Sequence, residues 1–424
     1  MMLSLIRVPW LLRMACGLLL ACLCSVALAG APRSLRFERI GLEEGLSQES
    51  VLAILQDRAG FMWFGTQAGL NRFDGYRNQV FRNDPNDPSS LADNYVQAAY
   101  EDGQGRLWFG TRGGLVRFDP ATRAFVRHPL LAGSERNPRN SAVTAIVGDG
   151  AGGLWVGTSD GLVHFDPATG RLRTLRHDEH DRGSLRDDRV TALALDPRGG
   201  LWVGTGVGLD VLPAGAVRFD HFDVDPAGDS KRNAVTALSM GPRDMLWIGT
   251  VAGLDVWRLG VGMPQRHHLG ADEGVDDGRV RSLYHDAGSN LWVGTEQGGL
   301  KWRDPTSGRF VGYVSEPLDR HTLSDNQVTA IRVDRTGTLW AGTMFGGVNR
   351  ADLASGGFSR FSLPAGQVAD PRSARKIRSI AEGADGRLWL GTTGGGILYL
   401  DPRTGHADVL RHDPARPDSL PDDV

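Results

Sequence analysis

The segment Val96-Gln97-Ala98-Ala99-Tyr100-Glu101-Asp102-Gly103-Gln104-Gly105-Arg106-Leu107-Trp108-Phe109-Gly110-Thr111 recurs in outline eight times along the chain. In every copy an apolar residue stands twelve positions before a tryptophan, and x-Gly-Thr follows the tryptophan. The pairs are Val51/Trp63, Val96/Trp108, Val143/Trp155, Val190/Trp202, Val235/Trp247, Val280/Trp292, Val328/Trp340 and Ile377/Trp389, with successive tryptophans 45 to 49 residues apart. A fixed offset inside a period of that length marks one supersecondary unit copied along the chain.

The second copy shows what the unit is. Val96–Tyr100 alternates weakly and reads as a first strand, a. Asp102-Gly103-Gln104-Gly105 is a tight turn in which glycine takes a positive φ without steric cost. Leu107–Gly110 is strand b, Leu115–Phe118 strand c and Ala124–Arg127 strand d, with turns at Thr111-Arg112-Gly113-Gly114 and Asp119-Pro120-Ala121-Thr122. Four short antiparallel strands cannot bury both faces of one sheet, so the copies must stack. Helical periodicity is absent, and four strands per copy with a recurring tryptophan is the geometry of an all-β propeller blade. Trp63, Trp108, Trp155, Trp202, Trp247, Trp292, Trp340 and Trp389 are then structural, packed between adjacent blades. The glycine two places later leaves room for the neighbouring sheet. The recurring Asp57/Gly60/Trp63 pattern reads as an Asp-capped turn. One carboxylate per turn is too few for Ca²⁺, which wants six or more oxygens.

A chain of 424 residues exceeds one ordinary core unless the core is distributed over repeats, and its 57 glycines suit many tight turns. The net charge of −3, with both signs interspersed, gives no basic footprint for nucleic acid. Residues 1–29 read as a secretory signal peptide. Arg7 and Arg13 precede an apolar run from Met14 to Ala27, and Ala27-Leu28-Ala29 offers the cleavage site. A retained anchor and a lipidated Cys22 are the alternatives. All three cysteines (Cys16, Cys22, Cys24) lie in this leader, so the expected mature chain, placed in the periplasm, has no thiol chemistry.

Leu35–Ile40 alternates like a strand d that lacks its own blade. Pairing with the last strand of a later blade would close a seven-bladed ring over residues 30–355, with 35–40 as the closing strand. Residues 356–424 would then open a second ring; a single eight-bladed ring is the alternative. Ser419-Leu420-Pro421-Asp422-Asp423-Val424 begins a ninth copy, which marks the chain as a piece of something longer.

The repeat line closely resembles the two-component regulator propeller repeat. The first copy carries it as Val51-Leu52-Ala53-Ile54-Leu55-Gln56-Asp57, Gly60, Met62-Trp63-Phe64-Gly65-Thr66 and Gly69-Leu70-Asn71-Arg72-Phe73-Asp74-Gly75-Tyr76. Gly45-Leu46-Ser47 and the linker Asp181-Arg182-Gly183-Ser184-Leu185 are similar too. The resemblance implies the periplasmic sensor region of a bacterial signalling protein. It also implies a membrane-anchored output domain, a histidine kinase or diguanylate cyclase, as partner, a homodimer in the full-length form, and small-molecule ligands that include carbohydrate breakdown products. The fourth and fifth copies depart at Asp210-Val211-Leu212 and Asp255-Val256-Trp257, which replace the Arg-Phe-Asp ending.

Enzyme motifs are weak: there is no His-Glu-x-x-His or Gly-x-x-x-x-Gly-Lys, and the one Gly-x-Ser-x-Gly match, Gly157-Thr158-Ser159-Asp160-Gly161, falls on a periodic b–c turn rather than where a strand leads into a helix. No catalytic residue, metal site or cofactor is expected. His177-Asp178-Glu179-His180-Asp181 reads as a polar linker like Asn83-Asp84-Pro85 and His412-Asp413-Pro414, and His267-His268 as a loop pair. Propeller geometry puts the b–c turns and the entries to strand a on one face around the channel mouth. Residues that vary between copies there are the candidate ligand-binding set: Gln67, Arg112, Asp160, Glu296, Gln297 and Phe345 on the turns, and Asn94, Tyr95, Arg189, Arg279 and Gln327 at the entries. Tyr95 and Phe345 suit stacking on a sugar ring, the arginines and amides hydrogen bonds to hydroxyls or carboxylates. An exported sensing module follows; a propeller lyase or quinone-dependent dehydrogenase, and a protein-docking scaffold, are the alternatives.

Overall fold

The computed structural model describes residues 35–130, 142–260, 264–270, 273–275, 278–353, 376–402 and 406–423; the expected leader lies outside them. Leu35–Gly356 form one compact unit, and Gly357–Val424 belong to another. The regular structure of the described residues is eight four-stranded antiparallel sheets and one helical turn, Ser230–Asn233. The second sheet runs Val96–Glu101, Leu107–Thr111, Gly114–Asp119, Ala124–His128, within a residue of each strand expected from the sequence. The chain is an all-β propeller.

Seven of the sheets lie in the first unit, with strands a at Val51–Gln56, Val96–Glu101, Val143–Gly148, Val190–Leu195, Val235–Gly241, Val280–His285 and Val328–Val333. The first six are consecutive meanders. The seventh takes its outer strand from the start of the unit: Glu38–Ile40 pairs antiparallel with Val348–Asp352, Glu38 opposite Arg350 and Ile40 opposite Val348.

One contact repeats at every seam. The glycine after each tryptophan faces the valine that opens the next sheet, so closely that a Cβ on Gly110 would lie 2.5 Å from Val143 Cγ1. Gly157 meets Val190, Gly204 meets Val235 and Gly249 meets Val280 in the same way, and Gly342 of the seventh sheet meets Val51 of the first. The cycle of contacts therefore closes on itself. Ser50 Oγ donating to the Met344 carbonyl at 2.7 Å, and the Arg335 guanidinium donating to the Asp57 carbonyl, hold the same junction.

The tryptophans fill the seams beside these glycines. Trp63 is 1% exposed and lies 5.2 Å from Phe109 and 4.9 Å from Phe118 of the next sheet, and Trp340 packs on Phe64 and Phe73 across the closing seam. A buried indole N–H needs an acceptor. The turn aspartate six residues earlier supplies it: Trp63 Nε1 donates to Asp57 at 2.7 Å, Trp108 to Asp102 at 2.9 Å, Trp202 to Asp196 at 3.1 Å and Trp340 to Asp334 at 2.8 Å. The other oxygen of Asp57 accepts the Phe61 N–H, and Gly60 takes φ +99°. The aspartate is thus more than a turn cap: it links the a–b turn to the seam. Trp155 departs, because Asp149 instead pairs with His164 Nε2 at 2.8 Å.

Within the second unit, Ile377–Glu382, Leu388–Thr392, Ile397–Leu400 and Ala407–Leu410 form the eighth sheet. Leu390, Leu398, Leu400 and Ala407 are buried, whereas strand Ile377–Glu382 is exposed along its length and Trp389 is 38% exposed.

Two outcomes follow. Trp108→Ala removes a fully packed aromatic and costs about 3–5 kcal/mol in urea unfolding, while Trp389→Ala costs less than half as much; equal losses would contradict the seam assignment. For Asp102, burial works to raise the carboxyl, but the hydrogen bonds from Trp108, Arg106 and Gln104 outweigh it and hold the group below its ordinary value. A depressed folded value gives stability that is present above the unfolded carboxylate range, about pH 3.9, and lost as pH falls through the folded value. Acid unfolding below about pH 4 should therefore become shallower in Asp102→Asn; an unchanged acid limb would count against this role.

Candidate functional site

The b–c turns and the entries to strand a form one continuous rim. Most turns donate to the entry of their own sheet, among them Arg112 N to Tyr95 O at 3.1 Å, Glu296 N to Arg279 O at 2.9 Å and Met344 N to Gln327 O at 3.0 Å. The glycine closing the turn donates to the entry of the next sheet: Gly69 N to Asn94 O at 2.8 Å, Gly161 N to Asp188 O at 2.7 Å, Gly299 N to Asn326 O at 3.1 Å. Across the closing seam, Gly347 N donates to Glu49 O at 3.0 Å.

On this rim the candidate residues fall into two groups. Several serve the scaffold. Asn94 Oδ1 accepts from Asn83 N at 2.7 Å, the same loop lock that Asp188 makes with His177 and Asn326 with Ser315. The Arg112 guanidinium lies 3.7 Å over the Tyr95 ring and covers one face of it. Asp160 pairs with Arg176 at 3.0 Å, Gln67 Nε2 points at Met344 Sδ across the closing seam, and Arg189 is exposed.

The remaining candidates converge on the sixth and seventh sheets. Gly278, Arg279, Thr295, Glu296, Gln297 and Gly298 line an open cavity of about 380 Å³. Glu296 is its centre, with Oε1 2.8 Å from Arg281 Nη2 and Oε2 3.8 Å from Arg279 Nε. The Gln327 amide oxygen, turned to face Arg281, accepts from its Nη2 at 2.8 Å and Nε at 3.3 Å. Phe345 extends from the neighbouring turn, 69% exposed.

Local backbone explains why this sector differs. In the first four sheets the turn threonine bonds the carbonyl three residues on, as Thr66 does to Gly69 and Thr205 to Gly208. In the sixth and seventh it reaches four residues on, Thr295 to Gly299 and Thr343 to Gly347. One extra turn residue lifts Gln297 and Phe345 out to solvent. The sequence signal of that length is one more residue between the threonine and the closing glycine, Thr295 to Gly299 and Thr343 to Gly347, since Gly113-Gly114 closes a short turn.

Arg281 escapes a sequence reading confined to turns and entries. It is the second residue of strand a, where a β-bulge interrupts the register in every sheet, here between Val280 and Ser282. A bulge redirects the side chain it carries. In four other sheets a threonine stands there and its hydroxyl donates to the opening residue of the next sheet: Thr144 to Val190 O, Thr191 to Val235 O, Thr236 to Val280 O and Thr329 to Val51 O. Gln97 does the same with Val143 O. Arg281 turns to Glu296 and Gln327 instead. Aligning the copies at that position would have revealed it.

The Asp210 and Asp255 departures carry side-chain clusters away from this cavity. Asp210 is fully buried; Oδ1 meets His221 Nδ1 at 2.7 Å from the opposite strand, and Oδ2 accepts the Arg186 N–H at 2.8 Å. Burial pushes its carboxyl above the ordinary range against the pull of His221 and Arg186. Asp255 repeats the arrangement with His268 Nδ1 at 3.2 Å and Arg232 Nη2 at 3.5 Å. This corrects the reading of His267-His268 as a loop pair. They lie on strand Gln265–Leu269, and the partner that makes a strand of this polar stretch is Asp255, directly opposite His268. In the His177–Asp181 linker, His177 Nδ1 meets Leu185 O at 2.8 Å and Asp178 N donates to Ser184 Oγ at 2.9 Å, as His412 and Asp413 do with Leu420 and Ser419.

The repeats match the family described as two component regulator propeller at residues 45–68, 90–113, 184–206, 322–345 and 372–394. These five stretches are two-component regulator propeller repeats. Histidine kinase P4 of Formosa agariphila is 49% identical over 49 residues, 12% of this chain and 4% of that protein. The extracellular domain of a hybrid two component system, BT3049 from B. thetaiotaomicron, superimposes with a TM-score of 0.67 at 22% identity, covering 90% of this chain and 55% of that one. The chain thus spans about half the length of that structure and a small part of the kinase. Virginiamycin B lyase from Staphylococcus aureus superimposes with a TM-score of 0.57 at 12% identity over 76% of this chain and all of its own. At such identities both solved structures are likenesses of fold. No helix among the described residues is long and apolar enough to cross a membrane.

Removing one partner of a buried ion pair leaves the others uncompensated. Asp210→Ala therefore costs about 3–5 kcal/mol in urea unfolding; an unchanged midpoint would show that His221 and Arg186 do not depend on it.

Proposed function

We propose that the chain is the exported, ligand-sensing input region of a bacterial two-component-type signalling protein, and that it carries out no reaction itself. Residues 35–353 act as one seven-bladed ring, and residues 376–423 as a blade of a further one. The observation that carries the reading is the cavity of about 380 Å³ among Arg279, Glu296 and Gln297, on the rim of a propeller built from two-component regulator repeats. Its volume falls within the range of small-molecule sites, roughly 300–1,000 Å³. Its walls offer the Arg279 guanidinium, the Gln297 amide and the Glu296 carboxylate, a set suited to holding a polar ligand. Phe345, one turn along, presents a free aromatic face of the kind that stacks on a pyranose ring. A small polar ligand, carbohydrate among the candidates, fits this chemistry. Binding would bias the rim, and a membrane-anchored output domain would read the change.

A ligand that binds only the folded protein raises its stability by about 2.7 kcal/mol at one hundred times its Kd. Screening mono- and disaccharides by thermal shift, followed by calorimetry, should yield a ligand whose affinity drops at least tenfold in Arg279→Ala and in Gln297→Ala, with both variants folded as the parent. Undiminished binding in both variants would remove the site from this cavity.

A further inference from the structure

We propose that the ligand of this cavity carries a carboxylate, which binds Arg281 in place of Glu296, so that Glu296 is a built-in competitor for the site. The inference rests on the cavity being the sensing site and goes beyond it by naming the ligand's chemical class.

Arg281 occupies a position whose repeated task is structural. Threonine there ties one sheet to the next in four of the other six sheets of the unit, and glutamine does so in a fifth. Arginine gives up that hydroxyl bond and brings a guanidinium, its side chain 25% exposed, onto the cavity residue Glu296. The seam itself remains: a Cβ on Gly294 would still lie 2.6 Å from Val328 O. The substitution therefore adds a charged fork without opening the sheet contact, so its purpose lies at the rim.

The two arginines at the cavity are not each matched by a close carboxylate. Arg279 and Arg281 share one carboxylate, Glu296. Gln327 is neutral. The nearby Asp325 carboxylate is engaged by backbone N–H groups, Phe345 N at 3.1 Å and Gln327 N at 3.3 Å. Arg279, which lines the cavity, reaches its carboxylate only at 3.8 Å. Guanidinium binds a planar carboxylate through two parallel N–H bonds, a geometry that Glu296 meets at Arg281 with a single close contact, Nη2 at 2.8 Å. Glu296 also sits on the lengthened turn, whose glycines allow it to move aside. An incoming carboxylate can thus replace Glu296 at Nη2 and pair with the Nη1–Nη2 edge, the Nε side being held by the Gln327 oxygen. The displaced Glu296 turn carries the change along the rim to Gln297 and to the Arg279 carbonyl that it bonds.

A carboxylate could belong to a sugar acid or to a peptide terminus, and the test separates them. The expressed chain is titrated by calorimetry with galacturonate, digalacturonate and neutral galactose, and with triglycine and its C-terminal amide. The expected result is that one acid binds at least tenfold more tightly than its neutral partner, and less tightly as salt is raised. Arg281→Thr installs the residue that four sister copies carry and should fold as well as the parent while losing the preference for the acid. Glu296→Gln should bind the acid several-fold more tightly than the parent. Equal binding of acid and neutral partner, unchanged acid binding in Arg281→Thr, weaker acid binding in Glu296→Gln, or no binding of either acid would each overturn the proposal. Binding of neutral galactose that Arg279→Ala abolishes and Arg281→Thr leaves intact would retain the sensing site and discard the carboxylate.

Discussion

The close approach of a glycine backbone to the opening valine of the next sheet is the constraint on which residues 35–353 depend. Each sheet can bury its second face only if its neighbour comes near enough to exclude water along the whole seam. At Gly110, Gly157, Gly204, Gly249 and Gly342 there is no space for even one added methyl group. The tryptophan beside each glycine then fills the wider part of the seam, and in most copies its N–H is answered by the aspartate of its own turn. A single line of sequence thereby encodes a strand pair, a turn, a packing surface and the polar group that makes burial of an indole tolerable.

A scaffold so repetitive makes its exceptions informative. Where Thr144, Thr191, Thr236 and Thr329 tie neighbouring sheets, Arg281 does not, and it stands beside a lengthened turn, a second arginine and a cavity. The adjoining turn is lengthened too and exposes Phe345. These departures cluster in one sector, whereas the polar departures at Asp210 and Asp255 are enclosed by their own histidines and arginines and stabilise linker and outer strand. Variation between copies is therefore of two kinds, and burial tells them apart.

Most of the architecture could be read from the chain. The offset from Val96 to Trp108 placed strands a and b to within a residue, and the alternation of Leu35–Ile40 foretold a strand that needs a distant partner, found at Val348–Asp352. The candidate site was legible only in part. Arg279, Glu296 and Gln297 line one cavity with Gln327 joined to it through Arg281, because propeller geometry sends every b–c turn and strand entry to one rim. Arg281 was missed because its side chain is redirected by a bulge, a property of hydrogen-bond register that the spacing within one copy does not display; only aligning the copies sets it against the threonines. Asn94 and Tyr95 vary between copies yet are taken up by a loop lock and by Arg112, contacts that depend on which side chains meet across the rim. His268 read as loop because its neighbours are polar; the buried Asp255 opposite it was out of sight in a one-dimensional pattern.

The central claim is that the seven seams of residues 35–353 are equivalent, the closing one included. Amide hydrogen exchange of the expressed chain tests it most directly, by comparing Glu38–Ile40 and Val51–Gln56 with the middle strands Val190–Leu195 and Leu201–Thr205. The account predicts that Val51–Gln56 is protected to the same degree as Val190–Leu195, and that Glu38–Ile40 is protected like the other outer strands. Fast, independent exchange of both Glu38–Ile40 and Val51–Gln56, with the middle sheets still protected, would show an open junction and contradict it.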